Sequence, residues 1–163
     1  LVSAVSEPWE GDLGWQYKVT GSAFGSGVVI PLVTAFLPQG FIRASINAIF
    51  APQDTPDGYN DHIGTGLALR RTSMRANAQQ VNTLLPEIKK MVSQYATLTM
   101  PIELIHGSAD TIVPLEVHAA IATPQLPDAR LTTLPGIGHM PQHVSQPEVL
   151  AAIDRAAARA GLR

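Results

Sequence analysis

Asp110 and His139 stand 29 residues apart, each in a glycine-containing loop that directly follows a short apolar segment. Those two residue types do one job well together. An imidazole moves protons near neutral pH, but it needs a partner on its second ring nitrogen to fix its tautomer and orientation. A buried carboxylate supplies that partner and stabilises the imidazolium formed when a nucleophile gives up its proton. Asp110 and His139 therefore read as two thirds of an Asp-His-nucleophile triad. The alternative is structural, with Asp110 capping the turn after it and His139 buried or capping a helix.

The elements that would position them are short strands alternating with helices. Ile102 to Ile105 and Arg130 to Leu134 read as strands; the first runs into His106-Gly107-Ser108-Ala109-Asp110 and the second into Pro135-Gly136-Ile137-Gly138-His139. A helix from about Pro114 to Ala122 joins them, and the alternation predicts a parallel sheet. In such sheets functional groups gather beyond the carboxyl ends of the strands, where both residues fall. Leu1 to Val5 reads as a third strand, closed by the turn signal Glu7-Pro8, so the chain is expected to begin inside a structural element. After the histidine turn, Ser145 fits a helix N-cap, with Pro147 in the first turn and Glu148 as the reciprocal residue of a capping box. That last helix is expected to turn Val149, Leu150 and Ile153 inward and to fray by Gly161.

Between the first two strands the sequence predicts five helices. Asp12 caps one through Trp15, Tyr17 and Val19, and Ser26 caps another from Val28 to Leu37 with Pro31 near its first turn. Pro38 opens a third, with Phe41, Ile42, Ile46, Ile49 and Phe50 on one side. The Pro- and Asp-containing segment Ala51 to Gly58 is a loop. A fourth helix runs from Tyr59 to Arg71. In the fifth, Met74, Ala78, Val81, Leu85, Ile88 and Val92 form an apolar stripe, with a kink or break expected near Leu85 because Pro86 follows.

These motifs carry a family resemblance. His106-Gly107-Ser108-Ala109-Asp110-Thr111-Ile112-Val113-Pro114 resembles the H-G-x-x-D-x-x-V-P signature around the acid of α/β-hydrolases, and Gly136-Ile137-Gly138-His139 resembles their histidine turn. The order also fits, since the nucleophile precedes the acid and the acid the histidine. The resemblance implies an α/β fold: the C-terminal part of an α/β-hydrolase parallel sheet, with three strands (six to eight) and a mostly helical cap between the first two. It divides the chain into an incomplete core, residues 1–8 and 100–163, and a cap, residues 9–99. It further implies catalytic roles for Asp110 and His139, with Val113 and Met140 as walls of a substrate pocket. The nucleophile elbow of the family, G-x-S-x-G or its Asp counterpart, has no match. Gly21-Ser22-Ala23-Phe24-Gly25 and Gly25-Ser26-Gly27 have the wrong spacing and follow no strand.

The resemblance thus implies a serine hydrolase, esterase-like, acting on a small hydrophobic ester or acyl substrate, with this chain supplying acid and base and inactive alone. An Asp nucleophile would instead give dehalogenase or epoxide-hydrolase chemistry. A non-enzymatic reading is a fragment or subunit that only associates, through the edge of Leu1 to Val5, with an N-terminal half of the same fold or a second copy.

Composition narrows the field. A formal net charge of -2 and 45% hydrophobic residues fit a globular chain and give no electrostatic reason to expect nucleic acid or an anionic membrane surface as partner. With no cysteine, disulfides, thiolate metal sites and a cysteine nucleophile are excluded. No apolar run reaches membrane-spanning length, and a cytoplasmic setting is expected. No cofactor or metal is expected either: His139 and His143 share a spacing that suits zinc only on an ordered helix with a third ligand, and Pro141 lies between them. His106 is expected to hydrogen-bond within the acid loop, and His62 and His118 to be ordinary helix residues.

Overall fold

The sheet is parallel, as the alternation predicts, but among the described residues it has two strands where three are expected. A computed structural model describes residues 1–11, 15–22, 24–36 and 38–162. The helical segments come first: α1 Trp15–Gly21, a π-helical turn Gly25–Val29, α2 Ile30–Phe36, α3 Gln39–Phe50, α4 Tyr59–His62, α5 Thr65–Ala68 and α6 Arg71–Val92. Strand β1 Ile102–Gly107, helix α7 Ala119–Ala122 and strand β2 Ala129–Leu134 follow, then α8 Pro141–Val144 and α9 Gln146–Arg159. The expected caps Asp12 and Ser26 (the latter by its side chain) and the helix end at Leu37 lie outside the described residues.

Two compact units result. One comprises Leu1–Pro8, Asn47–Pro56 and Ile88–Arg163; the other comprises Trp9–Ile46 and Asp57–Glu87. Residues 47–56 and 88–99, placed by the sequence in the cap, thus fall in the unit that holds the sheet.

In that unit β1 pairs with β2 in register from Ile102 opposite Ala129 to Gly107 opposite Leu134. All of β1 after Ile102 is buried, so its apolar run serves both faces at once. Successive side chains point to opposite faces. Leu104 accordingly packs with Tyr95, Ala119, Ala122 and Leu126, whereas Ile105 packs with Leu134, Val149 and Ala152 of α9. Each such aliphatic side chain contributes roughly 1.5–3 kcal/mol by leaving water. Glu103, on the Ile105 face, is buried and meets Arg155 Nε at 3.1 Å and Arg159 Nη1 at 2.6 Å, which pins α9 across the strand.

Leu1 to Val5 is not a strand. Only Val2 bridges β1, opposite Ile105, through the Ser3 N–H to Ile105 C=O and Ile105 N–H to Leu1 C=O bonds of 3.0 and 2.9 Å. The reason is local: Ser3 has φ +41°, outside the extended region, so the ladder stops after one bridge. The expected fourth helix is likewise split, because Gly64 adopts φ +59° between α4 and α5. The α6 helix, by contrast, runs unbroken through Pro86. The helix expected from Pro114 begins only at Ala119, after a series of turns whose His118 N–H still reaches the Pro114 carbonyl. Ser145 does occupy the N-cap of α9, with Pro147 in the first turn, but its side chain makes no capping bond. At the other end α9 does not fray by Gly161. Gly161 has φ +71°, its N–H bonds the Ala158 carbonyl and the Leu162 N–H bonds that of Ala157, a Schellman closure. Leu150 and Ile153 are more than half exposed, so only Val149 of the expected inward face is buried.

Candidate functional site

Two loops at the carboxyl end of the sheet are stitched together before any side chain reaches the site. The Ser108 N–H donates to the Leu134 carbonyl and the Ala109 N–H to the Ile137 carbonyl, both at 2.9 Å. The Ser108 hydroxyl in turn accepts the Gly136 N–H at 2.9 Å. Pro135 and Gly136 make the bend itself: proline suits the second position of a type II turn, and Gly136, at φ +71°, suits the third.

Within this frame the structure brings together the two residues singled out by sequence. His139 Nδ1 lies 2.9 Å from Asp110 Oδ2. The other carboxylate oxygen, Oδ1, accepts the backbone N–H groups of Ile112 and Val113, each at 2.9 Å. The carboxylate is thus held from both sides, and its side chain is fully buried while that of His139 keeps 23% of its surface exposed. Because Oδ2 is an acceptor, Nδ1 of His139 carries the proton and Nε2 is left as the basic nitrogen.

His106 completes the carboxylate's surroundings. It is buried to 1%, and its Nε2 sits 2.7 Å from the Val113 carbonyl oxygen and 3.3 Å from Asp110 Oδ2. Both neighbours are acceptors, so Nε2 is the protonated nitrogen; the shorter contact takes the main bond and the carboxylate the weaker share. Burial alone would push the Asp110 carboxyl up. Hydrogen bonds from His106, His139 and the Val113 N–H, with attraction to His139, outweigh it and hold the group well below the usual carboxylate range. Behind the site His118 is buried as well; burial lowers its pKa, and its Nδ1 accepts the Glu7 N–H at 3.3 Å.

The remaining expected residues flank this pair. Val113 is 6% exposed, with its N–H and C=O engaged by Asp110 and His106. Met140 is half-buried and stands at the N-cap of α8, directly after His139. His143 lies in α8, its ring 5.8 Å from that of the fully buried Phe50. Among the described residues no group of three or more His, Cys, Asp or Glu is arranged to hold a metal ion. No helix among them is long and apolar enough to cross a membrane.

Sequence reasoning passed over two residues. Ser108 occupies a variable position of the acid-loop motif, and only its size and hydroxyl hint at the bond to Gly136. Gln53 left no hint. Its Nε2 donates to the Gly136 carbonyl and its Oε1 accepts the Gly138 N–H, both at 2.8 Å. The contact joins positions more than eighty residues apart, out of reach of any local pattern.

The fold is that of α/β-hydrolases. MGS-M2, an α/β hydrolase enzyme from a Medee basin deep-sea metagenome library, superposes with a TM-score of 0.58 over 98% of this chain and 54% of its own, at 17% identity. A thermophilic esterase from Thermogutta terrifontis does so with a TM-score of 0.54, 18% identity and the same two coverages. In sequence, 53 residues are 43% identical to the pimeloyl-[acyl-carrier protein] methyl ester esterase of Aromatoleum aromaticum, covering 32% of this chain and 20% of that enzyme. No family model matches. The chain has the fold of the C-terminal part of an α/β-hydrolase, and it spans about half the length of the solved structures it resembles.

Proposed function

We propose that this chain provides the acid and base of a serine hydrolase acting on a small hydrophobic ester or acyl substrate. The observation that carries the reading is the 2.9 Å contact between His139 Nδ1 and an Asp110 carboxylate whose other oxygen is fixed by two backbone N–H groups. In the reaction His139 Nε2 takes the proton of a serine hydroxyl as its oxygen attacks the acyl carbon. The tetrahedral intermediate then expels the leaving alkoxide, which receives that proton, and water repeats the sequence on the acyl-enzyme. Asp110 orients the ring and stabilises its charged form throughout. Val113 and Met140, beside the two loops, are assigned to the substrate pocket. The likeness to esterases supports an ester over other acyl bonds.

The serine itself comes, in this reading, from the remainder of the fold. A groove of about 340 Å³ runs beside Leu1 and Val2 and is lined by Ile102, Ile105, Val149 and Ile153 among others. Leu1 and Val2 are exposed along it, at 56% and 37%. We assign this edge to pairing with a further strand of the same fold, on the same polypeptide or a second one. The 163 residues alone are then expected to hydrolyse p-nitrophenyl acetate or butyrate no faster than buffer. Turnover that His139→Ala abolishes would show that the chain carries its own nucleophile and overturn this division of the triad.

A further inference from the structure

The structure assigns to Gln53 the role of a positioning residue for His139, a reading that rests on the proposed Asp110-His139 pair. Its side-chain amide clamps the histidine turn at two points, donating to the Gly136 carbonyl and accepting the Gly138 N–H, each at 2.8 Å. Those groups flank Ile137 and stand immediately before His139. The neighbouring groups of the turn are engaged elsewhere: the Gly136 N–H by the Ser108 hydroxyl, the Ile137 N–H by the Leu134 carbonyl and the Ile137 carbonyl by the Ala109 N–H.

Gln53 is itself held in place. Its N–H donates to the Phe50 carbonyl at 2.9 Å, and the Phe50 ring is fully buried against His143, four residues past His139. Thr55 Oγ1 bonds Asn47 Oδ1 at 2.8 Å and closes the same segment. The backbone of this segment comes so near the turn that a Cβ on Gly138 would lie 2.0 Å from the Ala51 carbonyl oxygen. An amide fits where a carboxylate does not: it offers a donor to the carbonyl and an acceptor to the N–H, whereas an ionised carboxylate only accepts. His139 is therefore oriented twice, through its ring by Asp110 and through its backbone by Gln53.

The test uses the 163-residue chain and two NMR readouts, exchange of the Gly138 amide and the slowly exchanging Nδ1 proton of His139. Gln53→Ala is expected to speed Gly138 exchange by roughly tenfold and to broaden or remove the His139 signal, with the rest of the spectrum kept. Gln53→Glu, which keeps the acceptor but loses the donor, should restore protection at Gly138 only. Thr83→Val, which removes a side-chain bond to the Gln79 carbonyl within α6, should change neither signal. Unchanged Gly138 exchange in Gln53→Ala would overturn the clamp. Faster Gly138 exchange with an intact His139 proton would overturn the positioning role. A wild-type chain with no Nδ1 signal that Asp110→Asn removes would overturn the Asp110-His139 pair and the positioning role with it, while Gly138 exchange would still decide the clamp.

Discussion

Replacing Asp110 by alanine is expected to lower folding stability by roughly 3 kcal/mol or more, read as a drop in the urea midpoint at unchanged slope. The carboxylate satisfies the N–H groups of Ile112 and Val113 on one oxygen and faces His139 and His106 on the other. Truncation leaves those donors without their acceptor in a place that water reaches poorly, and each costs about 1–3 kcal/mol. Asparagine keeps the shape and one acceptor oxygen, so Asp110→Asn should cost less stability. Its larger effect is chemical: an amide can present N–H to His139 Nδ1 and stabilise the wrong tautomer. In a polypeptide that also carries the nucleophile, that change is expected to cost about 10⁴-fold in kcat. Acid should act on the wild type as alanine does. Folding holds the Asp110 carboxyl below its unfolded value of about 3.9, so the unfolded chain binds the proton first. The stabilisation is complete above the unfolded pKa and is lost as pH falls through the folded one. Asp110→Asn should flatten that part of the stability profile, and urea titrations below about pH 5 measure it.

How much of this was legible in the sequence depends on how far apart the partners are. Both strands, the Pro135-Gly136 turn and the Asp110-His139 pair follow from patterns only a few residues long, and each pattern has a local physical cause. The third strand failed on a single torsion: five residues of suitable type at Leu1 to Val5 say nothing about Ser3 leaving the extended region at φ +41°. In the same way Tyr59 to Arg71 has helical spacing, but Gly64 takes a left-handed torsion that costs glycine little. The capping box at Ser145 names the right boundary and the wrong bond. Gln53 is a different kind of omission. An amide in a proline-containing loop is compositionally unremarkable, and only the fold brings it to the histidine turn.

Gly107→Ala and Gly138→Ala are expected to be far more damaging than Gly136→Ala, although Gly136 alone has a positive φ. A methyl group at Gly136 meets nothing within 4 Å, so its cost is the left-handed backbone, about 1–2 kcal/mol. At Gly107 the Cβ would lie 2.1 Å from the Ile137 carbonyl oxygen and 2.5 Å from that of Gly138. These are backbone atoms and cannot swing aside, so the end of β1 and the histidine turn must separate. Separation breaks the Ala109 N–H bond to Ile137 and the Ser108 N–H bond to Leu134, the stitches that set the spacing of the two loops. A loss on the order of 3 kcal/mol is expected, the upper range for an overpacked site. Gly138→Ala meets the Ala51 carbonyl oxygen at 2.0 Å and should displace residues 47–56, freeing the Gly138 N–H from Gln53. Urea denaturation of the three variants orders the effects. A loss at Gly136 as large as at the other two would mean that torsion at the bend matters as much as close approach; a large loss at Gly107 and Gly138 alone would mean that the distance between the acid loop, the histidine turn and the Gln53 segment is what the glycines preserve.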